Sequence, residues 1–272
     1  MGCKYRRIFN LFKTNNKKNQ FVHSHSEPQF MVLAIDIGNS RTKAAVFEGS
    51  NLLAHFNINK EMIVDGVSTI LAKYDAITDI VVASVAEEAL LLSSLPKVEV
   101  HFVSHLWPFP FTNLYDTPLT LGIDRMVLAT GAVLQFPKRN RLVVDAGTCI
   151  TYDCIDSEDN YLGGAISPGL RLRYEALHSH TAKLPLLKTE LPPELVGKST
   201  NASIHSGVVN GLVFEIEGFM THYKENLPNF IIILTGGDAV FLAERLKNTI
   251  FANSNFLLES LNQTFQYKIT HV

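Results

Sequence analysis

The chain has 272 residues, a length that fits one large domain or two modest ones. Apolar residues make up 46% of it and charged residues 18%, a composition that supports a buried core and excludes disorder throughout. The formal net charge is −2, too small for a strong general attraction to polyanions. We therefore expect a globular protein with no nucleic-acid partner.

The longest apolar runs, such as residues 230–234, have the length of a strand, whereas a membrane-spanning helix needs roughly 18 apolar residues. We therefore expect no membrane partner. The three cysteines, Cys3, Cys149 and Cys154, are odd in number and form no Cys-x-x-Cys pair. This usage disfavours a disulfide framework or a zinc site and predicts a cytoplasmic protein.

Residues 1–30 form a basic segment. Its apolar stretch, residues 8–12, is too short for a secretory signal, and Arg6 stands where a myristoylation signal has Ser or Thr. Met31 leads directly into the first predicted strand. Our hypothesis is that Met31 is the true start and that the basic segment is an upstream region or a disordered arm. A native protein whose intact mass retains Gly2 would contradict it.

An internal repeat organises the rest of the chain. Residues 33–42 and 142–151 align at an offset of 109 positions, and in each copy an apolar strand runs into an Asp and then into a polar turn that contains Gly. A second strand follows each turn, which predicts a β-hairpin with a polar tip. The matching residues are Leu33 and Leu142, Asp36 and Asp145, Gly38 and Gly147, and Thr42 and Thr151.

In chain order, the first half predicts a βββαβαβ arrangement, and the second half repeats its theme. A loop rich in Pro and aromatic residues, 107–118, and a helix over 124–135 lie between the halves. We therefore expect a basic tail at 1–30, an N-terminal half at 31–123, and the linking helix with the C-terminal half at 124–272. The predicted strands are 31–38, 43–48, 52–59, 76–85, 98–104, 142–147, 151–156, 161–169 and 230–237, and the other predicted helices are 61–74, 87–95, 170–178, 202–223 and 239–246.

The polar turns have the composition of a nucleotide-phosphate site. Gly lets the backbone approach an anion, N–H groups and hydroxyls donate to phosphoryl oxygens, and an Asp holds a cation or a water near them. Either turn alone is also typical of a plain hairpin, but two copies at corresponding places predict ATP in a cleft between the halves. A third turn, residues 235–238, is compatible with an adenosine contact or with an ordinary strand-to-helix turn. One wall of the cleft comprises Asp36, Ile37, Gly38, Asn39, Ser40, Arg41, Thr42 and Lys43, and the other comprises Asp145, Ala146, Gly147 and Thr148.

Five motifs, DIGNSRTK, YDTPLTLGIDR, DAGTCIT, GGAISPG and TGGD, occur in the order seen in type III pantothenate kinases, members of the acetate and sugar kinase/Hsp70/actin superfamily. The resemblance runs from Met31 to about Leu261. It implies an α/β fold of two ribonuclease H-like or actin-like halves, each a mixed β-sheet flanked by helices, with a cleft between them. Two residues depart from the family pattern, because Ser40 replaces a commoner Thr and Ser260 a commoner Gly.

The same resemblance implies ATP-dependent phosphorylation of pantothenate to 4′-phosphopantothenate, the first step of coenzyme A biosynthesis. Asp124 would be the general base for the pantothenate hydroxyl, a role that suits a carboxylate in phosphoryl transfer. Arg125 would pair with the substrate carboxylate or with phosphate. The other positions that match substrate contacts are Tyr115, Gly122, Ile123 and Thr200.

The resemblance also implies the cations and the assembly. Asp36 would act near Mg²⁺ through water, Asp145 would bind a monovalent cation, K⁺ or NH₄⁺, and Thr148 would touch an ATP phosphate. Members of the family are homodimers whose substrate pocket is completed by the partner subunit, so a homodimer is expected. The apolar helix over 204–219 is suited either to that interface or to the core.

Other functions fit part of the pattern. Another small-molecule kinase or phosphatase of the superfamily would share the fold and the phosphate turns, and a non-catalytic transcription accessory factor would share the fold but lose a key Asp. Some residues also have purely structural interpretations. Tyr115 would serve equally as a loop anchor packed on Trp107 or Phe111, and Thr200 as a helix cap.

Overall fold

The structure, a computed structural model, describes residues 30–38, 42–84, 87–192, 194–247 and 250–271. The predictions made for the basic tail at 1–29 lie outside the described residues. Within the described ranges, no helix is both long enough and apolar enough to cross a bilayer.

The first half is built on a five-stranded mixed sheet. Its elements are β1 (Met31–Ile37), β2 (Thr42–Glu48), β3 (Asn51–Ile58), helix α1 (Ile63–Lys73), β4 (Ile77–Ser84) and β5 (Glu99–Phe102), with 3₁₀ helices at Lys60–Met62 and Glu87–Ser94. The strand order is β3-β2-β1-β4-β5, with β1 antiparallel to β2 and parallel to β4. β1 and β4 are buried along most of their length, as expected for central strands made mainly of Val, Ile, Leu and Ala.

A loop and a helix connect the halves. The loop contains a two-residue strand, β6 (Thr112–Asn113), and a 3₁₀ turn at Pro118–Thr120, and it leads into helix α2 (Ile123–Gln135). The helix begins one residue before the predicted start, with Gly122 as its N-cap. Asp124 therefore lies in the first turn of α2, as the sequence predicts.

The second half is built on a six-stranded sheet that repeats the first. Its elements are β7 (Asn140–Ala146), β8 (Cys149–Ile155), β9 (Asn160–Pro168), α3 (Leu170–Ser179), α4 (Thr200–His205), α5 (Gly211–Asn226), β10 (Phe230–Thr235), α6 (Ala239–Ala243), β11 (Phe251–Ala252) and α7 (Phe256–Thr270). The strand order is β11-β10-β7-β8-β9-β6, which matches the first sheet once β6 is left out. The predicted fold class of two similar α/β halves is confirmed.

The predicted helix over 202–223 is interrupted. It consists of α4 and α5, joined by a π-helical segment at Ser206–Asn210. The apolar residues Ile204, Leu212 and Ile216 on this stretch are buried in the core of the second half, whereas Phe214 is 56% exposed. Most of its apolar surface is therefore core, and Phe214 is the part of α5 open to another surface.

Helices α2 and α7 lie between the two sheets. Val127 of α2 packs with the buried face of the first sheet and with Leu261 of α7, while Leu128 of α2 packs with residues of the second sheet. The two helices cross at Gly131, where an added Cβ would overlap the Ser260 side chain, so the small residue makes room for Ser260. This packing fixes the start of α2 at the junction of the halves.

Candidate active site

Asp36 and Asp145 occupy equivalent places at the ends of two central strands. In the register of the first sheet, Asp36 of β1 lies opposite Lys43 of β2. In the second sheet, Asp145 of β7 lies opposite Thr151 of β8 on one side and Thr235 of β10 on the other. Both residues are half-buried, at the edge of the core.

Helix α2 brings a third carboxylate to the same place. Asp124 is partly exposed, and its Oδ1 accepts a hydrogen bond of 2.9 Å from the backbone N–H of Arg125. A side chain at the N-cap Gly122 would collide with that carboxylate. The first turn of a helix also favours a negative charge, because its free N–H groups and the helix dipole point there. Gly122, Ile123 and Asp124 thus form the start of α2.

The charges of the three carboxylates act on one another. Burial raises the pKa of Asp36 to about 7, with further increases from the charges of Asp145 and Asp124 and a decrease from Lys43. Burial likewise raises the pKa of Asp145 to about 7, with a further increase from Asp124. Like charges raise the pKa of a neighbour only when they are close, so Asp36, Asp124 and Asp145 form one cluster.

The cluster fits a bound cation. Among the described residues, Lys43 lowers the pKa of both Asp36 and Asp145 and so offsets part of this negative charge. Carboxylate oxygens are the ligands that Mg²⁺ and other hard cations prefer. A cation beside Asp36 and Asp145 would offset both the burial of these carboxylates and their mutual repulsion.

The raised pKa values of Asp36 and Asp145 predict a pH-dependent loss of stability in the cation-free protein. A folded pKa near 7 exceeds the ordinary value of 3.8, so the contribution of each group is fully present below about pH 3.8 and is lost as pH rises through 7. Asp145→Asn removes one of these charges, and we expect it to raise the Tm by more at pH 8 than at pH 5. Each kcal/mol corresponds to roughly 2 to 4 °C in a chain of this size.

Thermal unfolding of the wild type and of Asp145→Asn from pH 5 to pH 8, in buffer without Mg²⁺ or K⁺, checks this expectation. The difference in Tm between the two proteins should grow with pH, and added Mg²⁺ should diminish it by stabilising the wild type. A difference that stays constant from pH 5 to pH 8 would show that Asp145 is not destabilised by its surroundings.

The glycine turn at 235–238 packs closely against the end of β7. Gly236 has φ = 96°, and a Cβ there would collide with the Asp145 carboxylate and the Ala146 carbonyl oxygen. The N–H of Asp238 donates to the same Ala146 oxygen at 2.9 Å. The third turn at 235–238 therefore lies directly beside Asp145, and its glycine is required by a positive φ and by close backbone approach.

Two buried hydroxyls lie on strands that neighbour this cluster: Thr235 lies opposite Asp145, and Thr42 lies opposite Ile37. Thr42 and Thr235 are 0% and 1% exposed, and their Oγ1 atoms have no hydrogen-bond partner among the described residues. A buried hydroxyl without a partner is costly, so a polar ligand at this site would satisfy an existing need. Thr42 is one of the predicted ATP-binding residues. Three others, Asn39, Ser40 and Arg41, lie outside the described residues.

Arg125 has a partner that the sequence did not indicate. Its guanidinium is 5% exposed and contacts Asp153 of β8, with both Nε and Nη2 at 2.7 Å from Oδ1. The ring of Tyr115 lies 5.8 Å from the Arg125 Cζ and 6.2 Å from the ring of Tyr161. Tyr115 is thus near Arg125, and it meets the ring of Tyr161 edge-on in a hydrophobic cluster that also includes Phe111.

Thr200 lies apart from the carboxylates. It is exposed and begins α4, but the helix cap is Ser199, whose hydroxyl accepts from the N–H of Ala202 at 3.2 Å. Thr200 and Ser199 line a groove of about 680 Å³ with residues of α3 and α4, and none of Asp36, Asp124 and Asp145 borders it. Within one chain, therefore, the groove that contains Thr200 is separate from the Asp124 site. The interpretation of Thr200 as the helix cap is wrong, because Ser199 is the cap.

Two mixed sheets of the same strand order, flanked by helices, define a two-lobed α/β fold with actin-like halves. Solved structures share the fold. A candidate Baf family transcriptional activator from Campylobacter jejuni matches with a TM-score of 0.59 at 23% identity, over 88% of this chain and 99% of its own. A candidate N-acetylmannosamine kinase from Listeria monocytogenes matches with a TM-score of 0.51 at 13% identity, over 88% and 99%.

Sequence comparison identifies the family. The family model described as type III pantothenate kinase matches residues 32–222. A type III pantothenate kinase from Flavobacterium johnsoniae is 63% identical over 241 residues, which cover 88% of this chain and 99% of the relative. Another from Flavobacterium psychrophilum is 56% identical, over 88% of this chain and 100% of the relative. The chain belongs to the type III pantothenate kinase family.

Proposed function

We propose that Asp124 is the general base of a phosphoryl transfer from ATP to pantothenate that takes place at the cluster of Asp36, Asp124 and Asp145. As a member of its family, the chain phosphorylates pantothenate, a step of coenzyme A biosynthesis. The observation that carries the assignment is the convergence of Asp124 with the carboxylates of the two repeated turns.

The position of Asp124 suits proton transfer. Phosphoryl transfer depends mainly on positioning and on charge stabilisation, and a carboxylate beside the acceptor takes the proton of the attacking hydroxyl. Asp124 is held at the start of a rigid helix between the halves, partly exposed, and next to the turns proposed for ATP. The acceptor hydroxyl would therefore be placed between Asp124 and the terminal phosphate of ATP.

The proposed ATP site lies on the two repeated turns. Backbone N–H groups and hydroxyls there would donate to the phosphates, and Lys43 would add a positive charge. The residues proposed to bind ATP are Asp36, Ile37, Gly38, Asn39, Ser40, Arg41, Thr42, Lys43 and Thr148.

Two cations are proposed at the same cluster. Asp36 would hold Mg²⁺ through water, and Asp145 would bind a monovalent cation, K⁺ or NH₄⁺. When bound, such cations supply positive charge that offsets the charge of the ATP phosphates. The raised pKa values of both carboxylates support this proposal, because they report negative charge that the protein itself does not compensate.

The assembly and the compartment are also proposals. We propose a homodimer in which the partner subunit completes the acceptor pocket, and Thr200 would then act on the neighbouring site. The separation of Thr200 from Asp124 within one chain supports this arrangement, as does the exposed apolar segment before α4, which includes Leu195 and Val196, 62% and 71% exposed. A cytoplasmic location agrees with Cys149 and Cys154, which are both free thiols.

A panel of acceptors tests the proposed function. Purified protein with ATP and Mg²⁺ is supplied separately with pantothenate, N-acetylmannosamine, glucose and acetate, and each product is identified by mass. We expect 4′-phosphopantothenate and, at equal acceptor concentration, at least about 100-fold slower transfer to the others, because an acceptor that leaves buried polar groups unpaired is strongly rejected. Faster transfer to a sugar would contradict the proposal. ATP binding without transfer to any acceptor would favour a non-catalytic transcription accessory factor.

A further inference from the structure

The strongest unexplained feature of the molecule is a buried charge next to the proposed base. Asp153 of β8 is 0% exposed, and a carboxylate in such a place costs several kcal/mol unless it is paired and hydrogen-bonded. It was not among the residues that the sequence pattern singled out. Nothing about a central strand of this fold calls for a charge, so its presence needs a separate reason.

The Asp153 carboxylate accepts hydrogen bonds from three neighbours. Its Oδ1 accepts from Arg125 Nε at 2.7 Å and from the Tyr161 hydroxyl at 2.5 Å, and its Oδ2 accepts from Thr151 Oγ1 at 3.2 Å. Burial alone would lower the pKa of Arg125, but the Asp153 carboxylate raises it, so the guanidinium stays charged. Charge-assisted hydrogen bonds of this kind are short and directional, and they hold the Arg125 side chain in one orientation.

The internal repeat provides a comparison within the molecule. Measured from Asp145, the register pairs Asp153 with Val143, and the equivalent pair in the first sheet is Ala45 with Ala34. Ala45 is also fully buried and packs with apolar residues of α7. The fold therefore accommodates an apolar residue at this strand position under a helix. In the second half this position is Asp153, and the helix that covers it, α2, carries Arg125.

The pairing acts on the proposed acceptor site. Arg125 follows Asp124 in the first turn of α2, and its backbone N–H donates to the Asp124 carboxylate. The ring of Tyr115, a predicted substrate contact, lies near both the Arg125 guanidinium and the Tyr161 ring. Asp153 therefore sets the place of three predicted acceptor contacts without lying at the surface itself.

We propose that Asp153, supported by Tyr161, is a positioning residue that fixes Arg125 and the first turn of α2 for the acceptor. This inference rests on the proposed function, because it takes Asp124 and Arg125 as the residues that meet pantothenate. A merely structural ion pair would affect stability alone. A positioning residue affects the acceptor more than the donor, because the hydrogen bonds of Asp153 reach α2, β8 and β9, whereas Asp145 of the proposed phosphate turn is affected only by its charge.

Steady-state kinetics of Asp153→Asn and Tyr161→Phe test the proposal, with Tyr152→Phe as the matched control. Tyr152 is another fully buried tyrosine of the same sheet, and its hydroxyl donates to Glu215 Oε1 at 2.9 Å, away from α2. Each tyrosine variant loses one hydroxyl bonded to a carboxylate. The Tm of every variant is measured alongside kcat and the KM values for pantothenate and for ATP.

We expect Asp153→Asn to lower kcat/KM for pantothenate by about 10- to 100-fold and Tyr161→Phe by roughly 3- to 10-fold, since a small misplacement of a positioning group costs up to about 100-fold. The KM for ATP should stay within about twofold, and Tyr152→Phe should leave both substrates unaffected. If Asp153→Asn does not fold, Tyr161→Phe against Tyr152→Phe makes the comparison.

The outcomes separate this proposal from the proposed function. An active wild type whose folded Tyr161→Phe and Asp153→Asn variants keep their pantothenate kinetics would overturn the positioning role and leave the function standing. Equal losses in Tyr161→Phe and Tyr152→Phe, or equal effects on ATP and pantothenate, would reduce Asp153 to a structural ion pair. A wild type that does not phosphorylate pantothenate would overturn both proposals.

Discussion

Asp124→Asn is expected to lower kcat for pantothenate phosphorylation by roughly 10²- to 10⁴-fold, the usual contribution of general-base catalysis. Asn has the size of Asp and can still accept the hydrogen bond that the Arg125 N–H donates to Asp124 Oδ1. It cannot take a proton from the acceptor hydroxyl. Fold and ATP affinity should therefore be kept, because Asp124 lies on α2 and not on the repeated turns.

Single-turnover rates, the Kd for ATP and the Tm of Asp124→Asn distinguish this expectation from general damage. Asp75→Asn, an exposed position in the turn after α1, makes the same chemical change away from the cluster and serves as the control. A rate within about tenfold of the wild type would remove Asp124 from the role of base, because less than the usual range would then be lost.

Asp145→Asn is expected to cost roughly 10²- to 10³-fold in kcat/KM for ATP and to abolish any stimulation by K⁺. This loss in kcat/KM is the usual cost of removing one preorganised electrostatic group from a site where charge develops. The same variant should gain Tm at pH 8, because it removes a carboxylate whose pKa is raised by burial and, further, by the charge of Asp124. Loss of activity together with a gain in stability is a combination that unfolding cannot produce.

Initial rates of Asp145→Asn with K⁺, NH₄⁺ or Na⁺ as the monovalent salt measure the first part of that expectation. Asp36→Asn provides the comparison within the cluster, because Asp36 is proposed to act with Mg²⁺. The Asp36→Asn variant should therefore keep the wild-type ratio of rates in K⁺ and Na⁺. An Asp145→Asn enzyme that still responds to K⁺ as the wild type does would place the monovalent cation elsewhere.

The repeated hairpins could be predicted because their signal is local. Each copy contains an apolar strand, an Asp and a Gly turn within ten residues, and strand alternation fixes which residues lie at the turn. The equivalence of Asp36 and Asp145 followed directly from the alignment of the copies. The structure confirms that both residues end central strands of similar sheets.

Helix α7 could not be predicted by the same means, because its buried face is partly polar. Ser260, Asn262 and Thr264 are all buried, and Asn262 donates to the carbonyl oxygen of Gly49 at 2.8 Å. Hydrophobic periodicity finds a helix by its apolar stripe, and a stripe interrupted by hydrogen-bonded polar residues weakens that signal. The packing of α7 against the first sheet depends on these long-range contacts.

The pairing of Arg125 with Asp153 could not be predicted from the sequence, for a related reason. Arg125 and Asp153 are 28 positions apart and lie on a helix and a strand whose relative placement is set by the packing of α2 between the sheets. The pattern of charges along the sequence gives no indication of which pairs meet. One signal was present, since a charged residue within the apolar strand β8 requires a buried partner.

The central claim is that this cluster transfers phosphate from ATP to pantothenate with the help of two cations. The most direct measurement is the formation of 4′-phosphopantothenate by the purified protein with ATP and Mg²⁺, once in K⁺ and once in Na⁺ alone. We expect product in K⁺ and a much lower rate in Na⁺. Product at equal rates in both salts would contradict the role proposed for Asp145, and no product in either, with ATP still bound, would contradict the claim as a whole.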